Sequence, residues 1–506
     1  MFRRTVADIQ LATSSGNVGK ISLYLGFLVL GCGLGYFVGV DAIYGHRLEV
    51  DLLGPSPPLV NDMPQIGSAF GIAIFLGIAF FLGWCIQSGG MDRPLLGLVA
   101  FSLFSDVIPA IYQIAILFLG LLLLERYLRG VDFSVPLSPT LVPIGLALIL
   151  YLTVFLRTDF PIVTLMDFVL RATVLIMVLL FPVLFSKHRH LELFFNFLLV
   201  GACISALVGL AQLLMSLATG TLITFAGSEM NRIEFPVPLM GSSGVPRCTG
   251  LMLHPNHQAN ALGTVALLTL WHGLKTGLSR KRRTVLLSTF FLLSLGVFIT
   301  FSRSGWLALA AGTGLLPFFR WPKFRVLYLV SVFALFSIGL STGVFQSLYE
   351  IIEGMNASSA DFRWHIDALA LEAFQKSPWF GIGVGEILNF FNPYHLEIHN
   401  TYLQILAEMG IFGVLVFGML FFLIFSRFRL ALRLAGEGPD GDERRDWLIG
   451  IGLASSVLLV QNFVVMFLWV KFFWAWIAFI EASIFVSLRQ QHHTLGYQSA
   501  FLTDEY

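Results

Sequence analysis

The chain has 506 residues, of which 57% are hydrophobic and 12% charged, with a formal net charge of +1 and a mean hydropathy of +0.82. Soluble domains carry about 25% charged residues, so this composition excludes a soluble enzyme and identifies an integral membrane protein. It also excludes nucleic acid as a partner, because no basic domain exists to hold it.

Repeated apolar runs near the ~20 residues that cross a bilayer predict helices rather than a barrel, whose strands show only short alternating segments. Arg3, Arg4 and Lys20 precede the first run, 21–40. That run is too long for a signal-peptide core and lacks a small-residue cleavage site, so it predicts an uncleaved span with a cytoplasmic N-terminus. A loop at 41–65, a span at 67–86 and a turn at Met91-Asp92-Arg93 follow. The run 94–124 is too long for one span and short for two. Further spans are predicted at 140–156, 162–185, 193–217, 257–274, 284–300, 304–319, 325–345, 401–425, 447–467 and 471–488.

Basic clusters mark cytoplasmic ends. They lie at Lys187 with Arg189, from Lys275 to Arg283, at Arg320 with Lys323 and Arg325, and from Arg427 to Arg445. Parity from Lys187 puts Arg126 and Arg129 inside as well, which makes 94–124 a hairpin turning outside near Asp106 and Pro109. The prediction is an all-α polytopic membrane protein of about 12–14 transmembrane helices with both termini cytoplasmic. Of the 31 Lys and Arg, eight then fall outside: Arg47, Arg157, Arg232, Arg247, Arg303, Arg363, Lys376 and Lys471. Arg171 lies within a span and the other 22 fall inside. Two loops stand out by length, 218–255 and 346–400, and both are external, where long loops usually carry function. The chain divides into N-terminal helices at 1–217, a loop-bearing core at 218–425, and C-terminal helices with a tail at 426–506. Among the four cysteines, Cys32, Cys85 and Cys203 fall in apolar runs and Cys248 in a loop, a spacing that suits neither a disulfide framework nor a metal.

The polar stretch Phe301-Ser302-Arg303-Ser304-Gly305-Trp306 separates two apolar runs. Arg303 must therefore lie at a membrane face or in a watery cavity, either as a snorkelling anchor or as an anion-binding group. The first long loop holds Arg247 in Val245-Pro246-Arg247-Cys248-Thr249-Gly250, then His254-Pro255-Asn256-His257. Those histidines suit either a helix cap or chemistry. In the second loop, Phe362, Ile366, Leu369, Ala370 and Ala373 recur at helical spacing. They predict an amphipathic helix carrying Arg363 and lying, with Trp364 and Trp379, along the outer interface. The loop closes on His395-Leu396-Glu397-Ile398-His399-Asn400. His399 is a candidate general base, or a capping or packing histidine. His395, Glu397 and His399 have no zinc spacing, and Asp440-Gly441-Asp442 has no domain around it to hold a nucleotide sugar. Within spans, Asp167 and Arg171 are predicted to pair across one turn. Glu408 and Glu481 serve either function or bundle hydrogen bonding. Arginine forks and one imidazole on a single external face suit phosphate binding with deprotonation of an attacking hydroxyl. An activated sugar on that side has to be carried by lipid.

At these residues the chain resembles the O-antigen ligase and O-antigen polymerase superfamily. The motifs are Arg247-Cys-Thr-Gly followed by His254-Pro-Asn256, then Phe301-Ser-Arg303-Ser-Gly-Trp306, and His399-Asn-Thr-Tyr-Leu403 running into Glu408-Met-Gly410-Ile-Phe-Gly413. The stretch from Asp361-Phe-Arg363-Trp364 to Gly381-Ile-Gly383 is similar to the family's long periplasmic loop. The resemblance implies a GT-C-like, metal-independent glycosyltransferase of the bacterial inner membrane, without cofactor. It would act at the periplasmic face on undecaprenyl-diphosphate-linked glycan. Arg247 and Arg303 would hold the diphosphate and His399 would activate the acceptor hydroxyl, with Arg363, Arg171, Glu408, His254 and Asn400 as secondary candidates. Acceptors in such a family are a growing glycan (polymerase), lipid A core (ligase) or a protein, and a chain-length regulator is an expected partner. The reading leans to an O-antigen or exopolysaccharide polymerase. An anion or solute transporter and an export scaffold are the alternatives from other classes. A transporter would place its polar site near midplane in two similar halves, and no repeat is visible.

Overall fold

The computed structural model describes residues 92–105, 112, 115–116, 138–155, 161–185, 188–220, 232–233, 245–344, 346, 357–383, 398–436, 441–463, 465, 468 and 470–503. The expected spans at 21–40 and 67–86, the turn at Asp106 and Pro109, Arg126 and Arg129 lie outside these residues, as do large parts of both long loops.

The chain divides into two compact units, Met1–Val131 and Asp132–Tyr506. In the first, helix α1 (Asp92–Ser102) ends in a turn, with Ser102 Oγ donating to Val99 O at 2.7 Å, and the chain is helical again at Tyr112. The second unit contains α2 (Leu141–Phe155), α3 (Pro161–Leu184), α4 (His188–Thr219), α5 (Pro255–Gly273), α6 (Arg280–Phe298), α7 (Arg303–Arg320), α8 (Arg325–Ser341), α9 (Ala357–Lys376), α10 (Thr401–Ala435), α11 (Gly441–Gln461) and α12 (Lys471–Thr503). A short 3-10 turn, Pro322–Phe324, joins α7 to α8. Among the described residues the strand content is one antiparallel two-residue pair, β1 (Arg232–Ile233) with β2 (Val245–Pro246). The fold is all-α and polytopic. Among the described residues, four helical segments are long and apolar enough to cross a bilayer: His188–Thr219, Pro322–Ser341, Thr401–Ala435 and Lys471–Arg489.

Helix α5 is the hub. Nearly every residue from Pro255 to Gly273 is buried, and α4, α6, α7 and α11 pack around it. Small residues permit the close approach that membrane helices need without a hydrophobic force between them. A Cβ at Gly296 of α6 would overlap Leu262, one at Gly312 of α7 would overlap Leu267, and one at Gly450 of α11 would overlap Trp271. Helix α8 is the opposite case. Gly339 is its one buried residue, and Val326, Phe333 and Leu335 are open on its surface, as befits a helix facing acyl chains.

Polar contacts fasten one end of this bundle. Arg320 Nη1 meets Asp446 Oδ1 at 2.6 Å while Nη2 donates to Leu274 O at 2.9 Å, and its guanidinium lies 4.8 Å from the Trp271 ring. Trp271 Nε1 donates to Asp446 O (2.9 Å), and Lys275 pairs with Glu443 (2.8 Å). Further along, Arg427 pairs with buried Glu481 and also donates to Ser138 Oγ. Glu481 thus takes a bundle-stabilising role, the second of the two open to it. The pair also explains why α10 runs past residue 425 into its basic segment.

Candidate functional site

The site is built at the other end of α5, where the chain leaves regular helix several times. His254 caps α5: its Nδ1 accepts from Asn256 N at 3.0 Å, and Pro255 fills the first helical position, where no N–H is needed. Of the two readings open for His254, capping is the one its contacts show, and its ring lies 5.0 Å from that of His257. The loop before it docks on the end of α6. Cys248 N donates to Ile299 O (3.1 Å) and Arg247 Nε donates to Thr300 O (3.2 Å), while Arg247 Nη2 donates to Asn256 Oδ1 (3.1 Å). These two bonds fix the guanidinium against both α5 and the turn that follows α6.

That turn carries Arg303. Phe301 is the one non-glycine residue with positive φ (+50°) among those described, a conformation that costs energy and persists only where the surroundings enforce it. The surroundings do. Ser302 N donates to Thr300 Oγ1 (3.1 Å), Ser302 Oγ accepts from Gly305 N (3.2 Å) to cap α7, and Trp306 Nε1 donates to Phe298 O (3.2 Å). A Cβ at Gly305 would stand 2.6 Å from that of Ala259, so the start of α7 is pressed against α5. Arg303 is half-buried in the first turn of α7, where the helix N-terminus itself favours an anion. Arg247 and Arg303 are therefore built onto one turn, three residues apart at the point of attachment.

His399 precedes α10. Asn400 caps that helix through Oδ1, accepting from Tyr402 N (2.9 Å) and Leu403 N (3.1 Å). Thr401 is tied to the end of α11, its N donating to Asn462 O (3.1 Å) and its Oγ1 bonding to Asn462 Oδ1 (2.9 Å). Since α11 runs antiparallel to α5, this tie puts His399 at the same end of the bundle as Arg247 and Arg303. Helix α9 packs over the approach to α10: Ile366, Ala370 and Ala373 cluster with Ile398 and Ala407. Trp364 and Trp379 stay exposed, in keeping with an interfacial position. Arg363 falls within α9, and its side chain lies outside the described set.

The chain after α9 does something that hydropathy does not signal. Helix α10 is broken at Gly410 (φ +64°, ψ −159°), and the segment 378–383 lays its backbone into the break. Ile382 N donates to Ala407 O and Gly383 N to Glu408 O (both 3.0 Å); in return Ile411 N donates to Pro378 O (2.9 Å) and Phe412 N to Trp379 O (3.1 Å). A Cβ at Gly381 would overlap the backbone of Glu408 and Met409. Beneath the break, Glu408 is buried, accepts from Gln404 Nε2 at 3.1 Å and lies 3.7 Å from Arg171 Nη1. The pairing expected for Arg171 within its own helix was with Asp167, whose side chain lies outside the described set. The contact found is tertiary, between α3 and α10.

Two buried amides were not singled out by sequence. Asn260 and Gln461 are 2% and 0% exposed, and Asn260 Nδ2 and both polar atoms of the Gln461 amide lack hydrogen-bond partners. Leaving such groups unpaired costs about 1–3 kcal/mol each. Cys248 is buried at the edge of the site, which pushes its thiol up to about 12. As for metals, among the described residues His188, Glu192 and Glu443 bring ligand atoms within 4.8 Å of one another. That group stands at the Arg320 end, where Lys275 already occupies Glu443.

No curated protein matches the chain. Residues 288–418 match the family model described as O-antigen ligase, a stretch that includes Arg303, Arg363, His399, Asn400 and Glu408 but not Arg171, Arg247 or His254. Together with the all-α multi-pass fold, this match supports assigning the chain to the O-antigen ligase/polymerase superfamily.

Proposed function

We propose that the protein transfers glycan from a polyprenyl diphosphate carrier at the end of the bundle that holds Arg303, which the basic bias of the opposite loops assigns to the periplasm. Arg247 and Arg303 bind the diphosphate as bidentate forks, helped by the N-terminus of α7. The acceptor hydroxyl attacks the anomeric carbon, its proton passes to His399, and the bond from that carbon to the phosphate oxygen breaks with its electron pair leaving on the diphosphate. Guanidinium charge takes the place that a divalent ion holds in nucleotide-sugar enzymes, so the transfer is metal-independent. The observation that carries this reading is the anchoring of Arg247 to Thr300, at the foot of the turn bearing Arg303.

The acceptor on this reading is a second lipid-linked glycan, which makes the protein a polymerase of the inner membrane working with a chain-length regulator. The ligase alternative, with lipid A core as acceptor, draws on the description of the matched family. A knockout followed by gel analysis of surface glycan tests both. Loss of long chains on and off lipid A indicates polymerase, and accumulation of unattached long chains indicates ligase. An unchanged glycan pattern refutes the proposal. Transfer by purified protein survives chelators, and a strict divalent-ion requirement overturns the metal-free mechanism.

A further inference from the structure

The contacts between α5 and α11 fix their register. Trp271 lies against Gly450, and Gly263 lies against Val457, whose Cγ1 would stand 3.2 Å from a Cβ on the glycine. One turn further toward the Arg303 end, three residues back along α5 and four on along α11, Asn260 comes opposite Gln461. By this register the two residues face each other. Both are buried, and Asn260 Nδ2 with Gln461 Nε2 and Oε1 make no hydrogen bond in the fold. Replacing a buried polar pair by hydrocarbon of the same shape is close to neutral, which makes their presence a question about a ligand.

Their position suggests which ligand. Asn256, which holds Arg247, is one turn above Asn260 on the same helix, about 6 Å along its axis. On the other flank, Asn462 follows Gln461 and bonds Thr401, two residues after His399. The amide pair thus lies between the arginine turn and the histidine, where the first sugar of a lipid-linked donor would sit. Helix α11 ends at Gln461, so this amide stands at a helix terminus and not in the middle of the bundle.

Resting on the reading of a diphosphate-linked donor, we propose that Asn260 and Gln461 form a carboxamide subsite for neutral hydrogen-bonding groups, hydroxyl or acetamido, on the sugar next to the diphosphate. Carboxamides offer both donors and acceptors without charge, which suits sugar groups and gives the phosphates nothing to prefer.

The test compares two probes on the full-length protein in nanodiscs: a synthetic polyprenyl diphosphate bearing one N-acetylhexosamine, and the same lipid diphosphate without sugar. The unmodified protein binds the sugar-bearing probe at least tenfold more tightly. Gln461→Met removes most of that difference while leaving the affinity for the sugar-free probe within twofold, and Asn260→Ser does the same should the first variant fail to accumulate. Equal binding of the two probes by the unmodified protein, a difference that survives both substitutions, or a parallel loss for both probes overturns the subsite. Arg303→Ala separates this from failure of the underlying reading. If that variant binds both probes normally, the diphosphate assignment itself is wrong, whatever the amides do.

Discussion

Replacing Gly410 by alanine gives the sharpest test of how the long loop is joined to the bundle. In an ordinary helix interior this change stabilises by up to about 1 kcal/mol. Gly418, on the same helix with no heavy atom within 4 Å of its hypothetical Cβ, should behave that way. Gly410 should do the reverse. Its φ of +64° with ψ of −159° is a conformation that only glycine enters easily, and forcing another residue there costs about 1–3 kcal/mol. A Cβ would also stand 2.5 Å from the carbonyl carbon and oxygen of Trp379 and 2.7 Å from Gly381 N. Relief pushes the segment 378–383 away and breaks at least the bonds from Ile411 N to Pro378 O and Phe412 N to Trp379 O, at about 1 kcal/mol each. The sum is a loss of about 3–5 kcal/mol for Gly410→Ala against a small gain for Gly418→Ala. Denaturant titration of the two variants in detergent, followed by tryptophan fluorescence, measures the difference. If Gly410→Ala is as stable as Gly418→Ala, the helix is continuous and the docking of the loop into it is wrong.

Other outcomes follow from individual contacts. Arg303→Lys keeps the charge but turns a fork into a point charge, and glycan transfer should fall roughly 10- to 100-fold, the worth of one charge-assisted hydrogen bond; full activity would argue for a simple membrane anchor. Glu408→Gln removes a carboxylate 3.7 Å from the guanidinium of Arg171 and should lower stability by about 1–3 kcal/mol, whereas Arg171→Met with Glu408→Met should recover part of that loss. A double variant no more stable than Glu408→Gln would show that the two charges are not coupled. A thiol raised from 9.0 to about 12 holds at pH 8 about a thousandth of the ordinary thiolate. Cys248, retained as the single cysteine, should therefore resist maleimide at pH 8 until the protein is denatured, and rapid labelling of the native protein would contradict its burial.

Hydropathy made the helices legible because each must satisfy its own backbone in lipid, and α7 was expected at 304–319 and found at Arg303–Arg320. Helix ends were less legible. The apolar run of α11 continues to residue 467, but the helix stops at Gln461 because Asn462 turns to bind Thr401. Arg171 also shows what local reasoning leaves out: its ion pair with Glu408 reaches across to α10, a partner that spacing along one helix cannot indicate. The arginines at 247 and 303 were legible because charge beside apolar runs stands out. Asn260 and Gln461 were not, because a neutral amide in an apolar run carries no such signal and the register that opposes them belongs to tertiary packing. The break at Gly410 was hidden for a similar reason. Its partner backbone lies about thirty residues earlier, and glycine within an apolar run is common in membrane helices.

The two ends of the bundle are built on different principles, and the contrast bears on where chemistry takes place. At the Arg320 end, charges meet countercharges at 2.6 and 2.8 Å, an indole N–H finds a carbonyl, and α5, α7 and α11 are held in fixed register. At the Arg303 end the backbone departs from regular helix: a phenylalanine is held at positive φ, and α10 is broken to receive the segment 378–383. Such departures from regular backbone, gathered at the end that carries the candidate residues Arg247, Arg303 and His399, are the pattern expected where local rules are broken for function.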